Sequence, residues 1–317
     1  MVAEDLSNRK APWWRSGLWL AAALSAGCGV DAGLPLEADP DLTGATTQQL
    51  PVDSFVAIEA PREAPPCRPD QYYVGRLMGR LLDYRGRPVA RGQVSVCGTA
   101  CIPGETDADG YFDVLADACF GASSEYAHGV AFSFTGLDAR PDVFYDFNRH
   151  DARQMGTVRF LRPIYVSDYT AGGRAPAPPR VQQAMRLVND RGFALTVVPS
   201  TLEYPLSAVD EVVRVVQVPL SKLPPYEGAS PVVMYAISPS DTTLGAPAPV
   251  EFPNTVGLAP GTLVEVVAVG NHASAGNPPV GVLGAIDVGR VSPDGQRVVA
   301  QSGLRFFGTV GYRVVSR

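Results

Sequence analysis

Apolar and polar residues alternate along this chain in short blocks separated by Gly, Pro, Asp and Asn. Residues 92–97 (Gly-Gln-Val-Ser-Val-Cys) follow the period of two expected of half-buried strands, and 111–115 (Tyr-Phe-Asp-Val-Leu) reads as another strand. Residues 72–82 form a longer strand candidate with a glycine bulge, and 129–134 and 155–166 are two more. The turns between them are written as Asp83-Tyr-Arg-Gly-Arg-Pro88 and Thr106-Asp-Ala-Asp-Gly110. The second half repeats the pattern over 181–188, 193–198, 211–218, 232–237, 250–252, 262–269, 281–291, 297–301 and 306–315. Val291-Ser-Pro-Asp-Gly295 is a turn of the same kind. No run keeps the 3.6-residue period over a helix's length, so the fold class expected is all-β, with two β-sandwich modules.

The first 66 residues follow other rules. Arg9, Lys10 and Arg15 precede the apolar run 17–24, which ends in small residues before Cys28. That is the layout of a secretory signal peptide, and the run is shorter than the ~20 apolar residues that a membrane span needs. Leu24-Ser-Ala-Gly-Cys28 resembles a bacterial lipobox, although Ser25 stands where Leu is commonest. The resemblance implies cleavage after residue 27 and lipidation of Cys28, and Gly29 in the next position implies the outer membrane. Residues 29–66 carry seven acids against Arg62 alone and keep no apolar period. Such a stretch buries too little surface to offset its ordering entropy, so 28–66 is expected to be an acidic flexible tether, with an edge strand near 54–58.

With Cys28 set aside, Cys67, Cys97, Cys101 and Cys119 form an even set. Export places them where disulfides persist. Four cysteines allow three pairings, and their spacing alone does not choose among them. The pairing expected is Cys97–Cys101 across its loop and Cys67–Cys119. On the loop-entropy model the wide loop contributes about 4 kcal/mol and the tight one about 2 kcal/mol. A four-thiolate zinc site is set aside because the paired short knuckles are missing. The Asp107-Ala-Asp109-Gly110 run lacks the further ligands of a calcium loop and reads as a hairpin turn.

Gly79, Gly86, Pro88 and Val89, then Val94 and Val96, then Thr106-Asp-x-Asp-Gly110 with Phe112, resemble the carboxypeptidase regulatory-like domain over roughly residues 72–162. That resemblance implies a transthyretin-like or carbohydrate-binding-like β-sandwich that is non-catalytic. Residues 193–199, the Pro249-Val-Glu-Phe-Pro-Asn254 strand and Gly257-Leu-Ala-Pro-Gly261 resemble a ZU5-type β-domain over about 185–300. Some relatives of that type cleave themselves at a His-Ser site, but Ala273 follows His272 here. The organisation expected is a signal peptide at 1–27, the tether at 28–66, a first sandwich at 67–168, a Pro/Gly linker at 169–180 and a second sandwich at 181–317.

Charge and motifs narrow the function. The whole chain has a net charge of −6, and most of that lies in the tether, so no basic stripe waits for nucleic acid. His128, His150 and His272 sit in no zinc-hydrolase pattern. No Gly-x-Ser-x-Gly and no phosphate loop is present. The chain is therefore expected to be no enzyme, with no catalytic residue, metal or cofactor. Tyr72, Tyr73, Tyr126, Phe144, Tyr145 and Phe147, with Asp142, Asp146 and Asn148, are candidates for a sugar-binding end, against the alternative that they are core aromatics. Arg85, Arg87 and the loop 271–279 read as solvated tips. The expected role is a cell-envelope lipoprotein acting as scaffold, adhesion or protein-interaction module, the alternative being a carbohydrate-binding surface protein. Its partners would be the membrane, through the lipid, and an envelope protein or glycan.

Overall fold

The computed structural model describes residues 55–315, apart from 64, 124–125, 127–129, 136–140, 147–152, 170–172, 177–181, 190, 206–211, 227, 229 and 276. The signal peptide, Cys28, most of the tether, His128, His150, Phe147 and Asn148 therefore lie outside the described residues. Strands and short 3-10 turns make up the regular structure within them, and the chain is all-β.

The first half holds β1 (Val56–Glu59), β2 (Gln71–Asp83), β3 (Gln93–Cys97), β4 (Cys101–Glu105), β5 (Tyr111–Gly121), β6 (Ala131–Thr135), β7 (Pro141–Asp146), β8 (Gln154–Phe160) and β9 (Ile164–Val166). One sheet runs β1-β8-β2-β5 with β9 added to β2, and the other runs β4-β3-β6-β7. The strand read along 111–115 points Phe112 and Val114 inward and Tyr111, Asp113 and Leu115 outward. Between the sheets, Phe160 is the aromatic hub, with ring centroids 5.6 Å from Phe55, 5.4 Å from Phe134 and 6.2 Å from Phe112 and Phe132.

Opposite Gly75, β5 carries one extra residue, Asp117, at φ 39°, which bends the strand. β2 and β8 run parallel and close together here: a Cβ on Gly75 would strike the carbonyl of Gly156, and a Cβ on Gly156 would strike the backbone of Pro61. Both turn readings meet a consistent geometry. Asp107 Oδ1 accepts the amides of Asp109 (2.9 Å) and Tyr111 (2.8 Å), and Gly110 supplies the positive φ of 78°. Asn189 closes the turn before Phe193 in the same way. The disulfides are Cys67–Cys119 and Cys97–Cys101, with Cα atoms 5.5 and 4.1 Å apart.

The second half holds β10 (Gly173–Pro176), β11 (Met185–Val188), β12 (Ala194–Val197), β13 (Leu202–Glu203), β14 (Val212–Val218), β15 (Val233–Ser238), β16 (Thr243–Ala248), β17 (Val250–Pro253), β18 (Leu263–Val269), β19 (Leu283–Val291), β20 (Arg297–Ala300), β21 (Leu304–Phe306) and β22 (Thr309–Val314). Ten of them form one sheet, β10-β14-β15-β22-β18-β19-β20-β17-β12-β11, which packs on the three-stranded sheet β13-β16-β21. Phe193, Tyr235, Phe252 and Tyr312 fill the space between, with the Phe193 and Tyr235 centroids 4.6 Å apart.

The edge strand expected near 54–58 is β1, which pairs with β8 at the edge of its sheet and brings Phe55 and Val56 into the first core. Within the Pro/Gly stretch 169–180, Tyr169 is buried and β10 pairs with β14 at the edge of the large sheet. The described residues all fall within one compact unit.

Phe55 tests this placement of the entry segment. Phe55→Ala is expected to cost about 3–5 kcal/mol in urea unfolding of the full chain, as truncation of a buried aromatic does. A change of a few tenths would return residue 55 to the tether.

Candidate functional site

The segments that read as solvated tips are exposed at Arg85, Arg87, His272, Ala275 and Asn277, while other groups of the same loops are buried at the seam between the two halves. On one side of the seam, Asp83 ends β2 nearly buried at 2% exposure. Its Oδ1 accepts the amides of Arg85 (2.8 Å) and Arg87 (2.9 Å), and its Oδ2 accepts Arg87 Nε (2.6 Å). The same guanidinium donates through Nη2 to Asp168 Oδ2 at 2.5 Å, and Asp168 is 4% exposed. Hydrogen bonding to Asp83 leads the effects that raise the Arg87 pKa above its ordinary value. Two buried carboxylates thus share one half-exposed arginine, which fixes the turn and residues 167–169 against each other.

That turn carries Tyr84 outward. Tyr84 packs with Tyr169 and Tyr226 against Val218, Met234, Ala236, Val267, Val269 and Leu283, on the face of the ten-stranded sheet that points away from its own core. Ser167 Oγ lies 3.2 Å from the Tyr84 hydroxyl, and Lys222 Nζ sits 4.5 Å from the Tyr165 ring centroid.

On the other side, Tyr126 forms a parallel bridge with Val280 and is buried with Cys97 and Ala131. Its ring meets that of His272 edge-on at 6.4 Å. The loop behind them is tied by polar contacts. The His272 amide donates to Asp241 Oδ1 (3.0 Å), Asn271 Nδ2 donates to the Phe307 carbonyl (2.7 Å), and Ser274 Oγ lies between the carbonyls of Asn271 (2.7 Å) and Pro278 (2.6 Å), with its single hydrogen to share between them. Asn271 Oδ1 is buried without a partner among the described residues. Asn271, Ser274 and Pro278 are therefore buried within this loop, because it carries its own hydrogen-bond acceptors, while His272, Ala275 and Asn277 stay exposed.

Of the sequence-derived candidates, the described Tyr72, Tyr73 and Tyr126 lie in three different places. Tyr72 packs against the first core under the Arg153 guanidinium, 5.6 Å from its ring centroid. The Tyr73 hydroxyl donates to Asp117 Oδ1 at 2.7 Å, which raises its pKa. Tyr126 lies in the seam. Asp142, Phe144, Tyr145 and Asp146 lie on β7, and their side chains are outside the described residues. His272 comes beside the Ser240–Asp241 pair, where Asp241 adopts φ 64°. The hydroxyls of Thr242 and Ser274 in this knot are committed as donors to backbone carbonyls. Among the described residues no three His, Cys, Asp or Glu side chains converge on a metal position.

A surface that pattern reasoning passed over lies on the outer face of the five-stranded sheet. Tyr111 is 53% exposed, with the Arg80 guanidinium 4.8 Å from its ring centroid. Arg76 forks onto both oxygens of Asp113 beside Leu115, which is 73% exposed. The outward half of the 111–115 alternation was the signal for it.

No family model matches the chain, and no curated protein matches it. The resemblances to the carboxypeptidase regulatory-like and ZU5-type domains therefore reach only as far as a β-sandwich. Among solved structures the chain is similar to a candidate carbohydrate-binding protein from Bacteroides uniformis, at 9% identity over 80% of this chain and 98% of that one, with a TM-score of 0.18. A TM-score that low carries no argument about fold or ligand.

Asp83→Ala strips the acceptor from two turn amides and one guanidinium, with an expected cost of about 2–4 kcal/mol by denaturant unfolding. A loss below 1 kcal/mol would show that the turn holds itself. The second prediction concerns acid. Hydrogen bonding to Arg76 leads in holding the Asp113 carboxyl below its ordinary value, against a smaller opposing effect of burial. A carboxyl depressed in the folded state stabilises fully above its unfolded pKa of about 4 and loses that contribution as pH falls towards the folded value. Asp113→Asn is therefore expected to flatten the stability profile below about pH 4. Unchanged curvature there would remove Asp113 from the acid response.

Proposed function

We propose that this chain is a non-catalytic bacterial cell-envelope lipoprotein whose two sandwiches act as a rigid scaffold or protein-interaction body. One observation carries the reading: the described cysteines pair completely, Cys67 with Cys119 and Cys97 with Cys101, which leaves Cys28 as the odd thiol at the end of a signal-peptide pattern. Two disulfides favour an oxidising compartment, where a lipidated Cys28 would anchor the body through residues 29–54. In this reading the first sandwich is a carboxypeptidase regulatory-like domain and the second is ZU5-like. The seam supports a scaffold role because it fastens the halves through a buried carboxylate turn and an aromatic cluster. The location is the outer membrane or cell surface, and the partner is an envelope protein.

A second reading rests on Tyr111. A half-exposed ring held by a cation, with the Asp113 carboxylate in the same row, suits the faces and hydroxyls of a sugar. In this reading the ligand is a surface glycan.

Cys28→Ala is expected to move the protein from the detergent-soluble membrane fraction to the soluble fraction of the producing bacterium. A variant that stays in the membrane would refute lipid anchoring. Binding of the purified protein to a glycan array that Tyr111→Ala abolishes would replace the scaffold reading with the glycan one.

A further inference from the structure

The two disulfides differ in place and exposure. Cys67 and Cys119 are both half-buried, 52 residues apart in sequence, and join the entry to β2 with the far end of β5. Cys97 and Cys101 face each other directly across the β3–β4 hairpin, four residues apart. Cys97 is 5% exposed and clusters with Tyr126, Ala131 and Val280, whereas Cys101 is the one described cysteine that is exposed. One cysteine of this bridge is thus exposed, while the other is buried beside Tyr126, which pairs with the second half.

We propose that Cys97–Cys101 is a reducible bridge that controls the Tyr126–Val280 contact, open to an external dithiol reductant while Cys67–Cys119 stays closed. Exchange starts where a thiolate can reach a disulfide sulfur, and the exposed Cys101 is the side of the bridge from which it would approach. The dithiol thiolate attacks Cys101 Sγ, the Cys97–Cys101 bond breaks, and Cys97 leaves as a thiolate that takes up a proton. The second dithiol sulfur then displaces Cys101, so the reductant becomes a cyclic disulfide and the chain gains two thiols. Closure of so short a loop removes little freedom from the chain, so the core of the first sandwich survives the opening. The change is local. The end of β3 is no longer clamped to β4, and the support beneath Tyr126 loosens.

Loss of that support is readable at the amides of the loop behind Val280. Gly281 N–H donates to the Gly270 carbonyl (2.9 Å), and Gly270 N–H donates to the Val282 carbonyl (2.9 Å). Both bonds sit beside the bridges that Val280 makes with Tyr126 and Gly270.

The test uses the full chain in graded dithiothreitol at pH 8, with timed alkylation and peptide mass spectrometry, and hydrogen exchange over residues 270–282. Cys97 and Cys101 are expected to be alkylated at least about ten-fold faster than Cys67 and Cys119. Exchange at Gly270 and Gly281 is expected to rise by a similar factor while the β2 amides stay protected. Alkylation of all four cysteines at one rate, or reduction with unchanged exchange at 270–282, would overturn the proposal. The variant C97A/C101A should reproduce the fast exchange without reductant, and slow exchange in a folded variant would also count against it. The alkylation order is read on the unsubstituted chain, so the test stands even if the variant does not fold.

Discussion

The Asp83 carboxylate is the interaction on which the arrangement of this molecule depends. It accepts two backbone amides and a guanidinium, which commits the turn after β2 to one shape. That shape aims Tyr84 at the second half and presents Arg87 to Asp168. Both carboxylates are nearly buried, so each needs its partners in place before burial is tolerable. The charge pairing and the apolar contact of Tyr84 with Tyr169 and Tyr226 therefore form together. The second place where the halves meet is Tyr126, paired with Val280 and edge-on to the His272 ring.

Strand formation follows the same logic of partners before propensity. β4 is Cys-Ile-Pro-Gly-Glu, β10 is Gly-Arg-Ala-Pro and β16 is Thr-Leu-Gly-Ala-Pro-Ala. Gly and Pro are poor strand residues, and none of these runs alternates cleanly. Each is extended because a better strand beside it supplies a ladder: β3 for β4, β14 for β10, β13 and β21 for β16. β4 and β10 lie at sheet edges, where a proline without an amide proton is tolerated. The entry strand β1 is extended because β8 receives it and because Phe55 and Val56 find room in the first core.

The chemistry-bearing residues were legible as types and poorly legible as places. His272 and Asp241 are 31 residues apart, on two loops that meet only because β15, β22 and β18 are neighbours in the large sheet. Nothing in the spacing announces that meeting, nor the burial of Asn271 within it. Tyr72, Tyr73 and Tyr126 share a residue class, yet one packs on the core, one bonds a bulge and one lies in the seam. Their separation follows from the side of the sandwich on which each strand position falls. Arg87 stands in a turn whose letters describe solvent exposure, and its head is indeed half exposed, but its donors point to buried oxygens.

What the sequence determined by itself is local. Period-two alternation marked the central strands, Asp and Gly at fixed offsets marked the turns, and the even set of four cysteines bounded the pairings to three. These follow from interactions within a few residues or from counting. The tertiary structure decided which cysteine faces which, which weak runs become strands, and which polar tips become a seam. Those outcomes depend on groups brought together across tens of residues, where burial raises the value of each hydrogen bond and the penalty for leaving one unmade.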